Sequence, residues 1–183
     1  IKARIPARCH AEGNTTYDEF RARFKWADME PEFSWSGKER MNIITESIDR
    51  WADEPSTSAH PALIFSKSGK TETFTYGQLK NKSCQWANML QSQGFGAGDR
   101  LILLLPPCPE VFFAMAACAR MGVIFCPVFS SSSFYELEAR FENAAPKGLL
   151  TLPDLAETIS HEYARRMQHI RFTRGPAPRL FGN

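Results

Sequence analysis

Between residues 73 and 151, segments with helical apolar spacing alternate with short unbroken apolar runs, and a turn or capping residue stands at nearly every junction. A chain of this pattern has few ways to bury both kinds of segment. Strands that are apolar throughout need cover on both faces, and the helices between them supply it. The expected fold class is α/β, with a mostly parallel doubly wound sheet and helices on both faces.

The individual junctions support this order. Ala62-Leu63-Ile64-Phe65 and Glu72-Thr73-Phe74-Thr75 read as strands joined at Ser68-Gly69-Lys70, a hairpin. Thr75 and Gln78 form a capping-box pair, and Leu79, Ser83, Trp86 and Leu90 line the helix that follows, which Gly94 ends. Leu101 to Leu105 is a buried strand broken by Pro106, Pro107 and Pro109. A helix apolar nearly all round runs from Glu110 to Met121 and stops at Gly122. Val123 to Phe129 reads as a second buried strand. Ser133 and Glu136 form another capping box, Leu137 and Phe141 give that helix its stripe, and Glu136 with Arg140 makes an i, i+4 pair. Leu149 to Thr151 is a strand. Thr151 and Asp154 frame a third cap, for a helix carrying Leu155, Ile159, Tyr163 and Met167, and Ile170 to Phe172 is a last strand. Upstream, Asn42 caps a helix with Ile44, Ile48 and Trp51 on one side. Tyr17, Phe20 and Phe24 fall at helical spacing and read as contacts to the main body.

With 183 residues the chain has room for one domain with a sizeable core. A net charge of +2 excludes a dominant electrostatic partner such as nucleic acid, whose binding needs a basic stripe. The arginines at 165, 166, 171, 174 and 179 read as a solvated face or tail. The longest apolar stretch, Val111 to Ala119, is too short to span a membrane. Five cysteines without metal-ligand spacing read as buried free thiols of a reducing compartment, so a cytoplasmic setting is expected. The basic start IKARIPAR leaves a mitochondrial matrix setting as the alternative.

Candidate chemistry is sparse. The glycines from Gly94 to Gly98 follow a helix and precede a strand, the reverse of a phosphate-binding loop, and read as a helix stop plus a turn. Asp99 and Arg100 fix that turn, and Glu110 answers a helix dipole. No nucleophile has an activating neighbour in sequence, so no catalytic or metal residue is assigned. Ser130 to Ser133 is better placed, after a strand and before a helix, at the edge where open α/β sheets take ligands.

The words of this segment, in order, resemble the AMP-forming acyl-CoA synthetases and adenylating enzymes. Phe74-Thr75-Tyr76-Gly77-Gln78-Leu79 resembles their TY-x-EL opening, and Trp86 to Leu90 their AN-x-L helix. Gly98-Asp99-Arg100 is similar to their GDRV turn, and Leu105 to Glu110 to their P-x-x-PE break. Met121 to Phe129 resembles GA-x-x-x-P-x-x. Arg140 and Leu150-Thr151 match the arginine and the strand that follow. Asn42, Ile43 and Trp51 are similar to the lead-in of the acetyl- and medium-chain branch.

The resemblance implies a part of the N-terminal domain of an enzyme that uses ATP, Mg²⁺ and coenzyme A to turn a carboxylic acid into an acyl-CoA. The phosphate loop, ribose-binding carboxylate and lysine that such chemistry needs are not found in this sequence, so none of these cofactors is expected to bind tightly to this segment alone. Ser130 and Ser131 stand where acetyl-CoA synthetases place a Gly-Gly pair beside coenzyme A. Glu157 and Ser160 stand where that branch has phosphate-binding arginines. The expected organisation is a lead-in over 1–40, an α/β subdomain over 41–174 and a tail over 175–183. Its partner would be the rest of the ligase fold, or a protein or second copy covering the open sheet edge. Two alternatives stand beside this reading: a truncated, non-catalytic interaction module, and the adenylation domain of a peptide-synthetase or luciferase-like enzyme.

Overall fold

The computed structural model describes residues 17–33, 41–152, 155 and 169–172. Helices α1 (Tyr17–Arg23) and α2 (Trp26–Met29) open the described chain. Two of their aromatics are not core contacts. Tyr17 and Trp26 are 74% and 77% exposed. Helices of seven and four residues are too short to hold an apolar stripe against a body.

The next segment was expected as a plain helix and contains a π turn, Thr45–Asp49, leading into α3 (Arg50–Asp53). The carbonyls freed by the wide turn find side-chain donors: Trp51 Nε1 donates to Glu46 O at 3.1 Å. Ile44 and Ile48 are buried as their spacing requires. Asn42 caps as expected, its Oδ1 accepting from Ile44 N–H at 2.9 Å. Its Nδ2 also donates to the carbonyls of Ala119 and Arg120.

Strands β1 (Pro61–Lys67) and β2 (Lys70–Thr75) pair antiparallel. Ser68 and Gly69 both have positive φ, +51° and +76°, as a two-residue hairpin turn demands. The first amides of α4 (Tyr76–Ser92) are all satisfied. Tyr76 N–H donates to His60 O, Gly77 N–H to Ser58 O, and Gln78 N–H to the Thr75 hydroxyl, while Gln78 Oε1 accepts from Thr75 N–H. A Cβ on Gly77 would meet Ser58 Oγ at 2.9 Å, so this close approach of loop to helix depends on glycine.

Four parallel strands make the main sheet: β3 (Arg100–Leu104), β4 (Ile124–Val128), β5 (Gly148–Thr151) and β6 (His169–Phe172), in the order β4-β3-β5-β6. Helix α5 (Pro109–Met121) connects β3 to β4, and α6 (Phe134–Ala144) carries the chain back across β3 to β5. Because the two crossovers run in opposite directions, right-handed connections place the helices on opposite faces. The core divides accordingly. Leu101, Leu103, Leu105 and Leu150 pack with Ala87 and Leu90 of α4 and with Ala114, Ala117 and Cys118 of α5. Ile102, Leu104, Val128 and Leu149 pack with Leu137 and Phe141 of α6 on the other side. Alternate residues of β3 thus serve alternate layers, which is why the strand reads as unbroken apolar sequence.

β4 departs from the expectation of a buried strand. Among the described residues it is the edge of the sheet, and Ile124 is 55% exposed. Ile124 N–H donates to Asp99 O. Backbone groups alternate along a parallel strand, so residues 124, 126 and 128 face β3 and residues 125 and 127 face outward. Pro127 therefore sits where its missing N–H removes no ladder bond.

Gly122 ends α5 at φ +74°, and a Cβ there would stand 3.2 Å from that of Ala97. Ser133 and Glu136 make the expected capping box. The Glu136 carboxylate is committed to that cap, and Arg140 Nη1 donates to the Glu136 carbonyl instead of forming the expected ion pair. Of the third cap and the helix expected after it, only Thr151 and Leu155 lie within the described residues. β6 falls where the last strand was expected.

At the amino ends of the strands, Lys147 Nζ donates to Gly94 O at 2.6 Å and to Asp99 Oδ2 at 2.7 Å. The same carboxylate oxygen accepts from Gly96 N–H at 2.8 Å. The Lys147 bond first, and the Gly96 amide second, hold the Asp99 carboxyl below its ordinary range. A carboxyl with a depressed folded-state pKa contributes stability above its unfolded value, and that contribution is lost as pH falls through the folded value. Asp99→Asn is accordingly expected to lower the urea midpoint at neutral pH, and to differ progressively less from the parent as both are measured further below the ordinary carboxyl value of 3.8.

Candidate functional site

A cleft of about 520 Å³ lies at the carboxyl ends of β3 and β4, on the α5 side of the sheet. Its base is Leu103 and Leu105, both buried. After β3, Pro106 and Pro107 force the chain out of the sheet and form one wall. Val111 and Phe112, in the first turn of α5, form the second. Pro127 and Val128 of β4, then Phe129, Ser130 and Ser131, complete the rim.

The structure thus brings Ser130 and Ser131 to a cleft at the carboxyl end of the sheet. The turn that carries them is closed by Ser132 N–H donating to Phe129 O at 3.0 Å. Ser133 is occupied as the cap of α6 and is not among the lining residues. Phe129 is 80% exposed at the rim and Phe112 is 47% exposed.

Reading the sequence did not single out Pro106, Pro107, Phe112 or Phe129 for this role. The prolines read only as a strand break, and the phenylalanines read as core. The available signal was topological: all four lie next to the carboxyl end of a strand, where α/β sheets take ligands.

Cys108 lines the same cleft, at the N-cap of α5, and makes no side-chain cap bond. A helix N-terminus usually lowers a thiol's pKa. Burial dominates here and raises it, with the Glu110 carboxylate adding to the shift against the amides of Val111 and Glu110. The thiol stays protonated and is not an activated nucleophile. Cys118, fully buried in the α5 layer, is pushed further, to about 12. All four described cysteines are unpaired, but only Cys118 is fully buried. Cys84, Cys108 and Cys126 are half-buried, contrary to the expectation of buried thiols.

Among the described residues the lining includes no carboxylate, amine, guanidinium or imidazole. Such a cleft can hold an apolar or uncharged group and orient it with two serine hydroxyls. Its own walls supply neither acid–base chemistry nor a charge to meet a phosphate or a metal ion. The glycine turn from Gly94 to Gly98 lies at the opposite end of the sheet, bonded to Gly122 and Asp99, and plays no part in the cleft.

Three comparisons bear on this arrangement. The family described as AMP-binding enzyme matches residues 48–176. Acetyl-coenzyme A synthetase of Bacillus subtilis is 31% identical over 162 residues, which is 88% of this chain and 28% of that protein. Acetyl-coenzyme A synthetase of Pasteurella multocida is 36% identical over 122 residues, 66% of this chain and 18% of that one. In structure, a Brucella canis acyl-CoA synthetase superposes with a TM-score of 0.77 at 23% identity, over 90% of this chain and 30% of its own. The chain spans less than a third of the length of each of these relatives.

Proposed function

Since this chain belongs to the AMP-binding enzyme family, a part of the acyl-CoA synthetase fold, we propose that it serves as an N-terminal part of an AMP-forming acid–CoA ligase. The reaction would join a carboxylic acid to coenzyme A with conversion of ATP to AMP and pyrophosphate. The observation that carries this reading is the match over residues 48–176, reinforced by the position of the cleft at the carboxyl end of the sheet. Within such an enzyme this segment supplies scaffold and one wall of a binding region. Among the described residues no charged side chain lines the cleft, so these residues do not fit ATP and Mg²⁺. Those two belong to other parts of the ligase. Coenzyme A is a better fit at Ser130 and Ser131, whose hydroxyls stand at an apolar cleft that could take an uncharged portion of the molecule. The rest of the ligase would cover the surface left open here. The relatives named above are bacterial, and a cytoplasmic setting is part of the proposal.

Pyrophosphate release tests the reading from two sides. The 183-residue chain, given ATP, Mg²⁺, coenzyme A and a panel of short acids, is expected to release none; turnover would show that the reactive groups lie within it. A chimera in which residues 48–151 replace the matching segment of the Bacillus subtilis relative is expected to keep acetate-dependent release. A folded but silent chimera would remove the ligase assignment.

A further inference from the structure

We draw no further inference here: the strongest candidate, the Cys108 thiol among the apolar walls of the cleft at the carboxyl ends of β3 and β4, belongs to the site already described, and nothing else among the described residues points to a ligand for it.

Discussion

Phe113→Ala is expected to lower the unfolding free energy by about 3–5 kcal/mol, the range for deleting a buried aromatic ring. Phe113 is 5% exposed and stands edge-on to Phe74, with ring centroids 5.1 Å apart. It is also where three pieces of chain meet: α5, the β1–β2 hairpin through Phe74, and the segment carrying Ile44 and Ile48. Urea unfolding followed by far-UV circular dichroism measures the change. Phe112→Ala, one residue away and 47% exposed, is the control and should cost about 1 kcal/mol or less.

Asp49→Ala should destabilise by about 3 kcal/mol, because removing one partner of a largely buried ion pair strands the other. Arg120 donates from both terminal nitrogens to the two Asp49 oxygens at 2.7 Å, and from Nη2 also to Ser83 Oγ at 3.0 Å. The side chains are only 21% and 16% exposed. The Asp49 hydrogen bond holds the guanidinium above its ordinary pKa against the effect of burial. Arg120 Nε is already buried without a hydrogen-bond partner, so the guanidinium has no reserve when the carboxylate is lost. Arg120→Met in the Asp49→Leu background should recover most of the loss, since a well-packed apolar pair replaces a stranded charge. If Asp49→Ala unfolds at the parent's urea midpoint, the pair is not holding the π turn against α5.

Much of the fold was legible because it is written locally. Thr75 with Gln78, Ser133 with Glu136, Gly94 and Gly122 each act within a few residues, and each does in the structure what its residue type and spacing require. The alternation of elements gave the parallel sheet for the same reason. The edge position of β4 was not legible, because an apolar run does not say which strand will lie beside it. The π turn escaped because Ile44 and Ile48 recur at the spacing of an ordinary helix. The Glu136–Arg140 pair failed because two local rules claimed the same carboxylate and the cap won. The cleft was half legible. The order strand–loop–helix pointed to Ser130 and Ser131, whereas Pro106, Pro107, Phe112 and Phe129 join them only once β3 and β4 are side by side.

The bonds of Lys147 to Gly94 and Asp99 divide the sheet into two ends with different freedoms. The turn from Gly94 to Asp99 and the residue that precedes β5, far apart in sequence, are locked to one another at the amino end, and strand register is anchored there. The carboxyl end needs no such lock, so the loop from Phe129 to Ser132 can change its side chains without disturbing how the strands align. A protein built this way can be retuned for a new ligand at one end while its framework is kept from the other, and the two serines at the rim stand where such retuning would be tolerated.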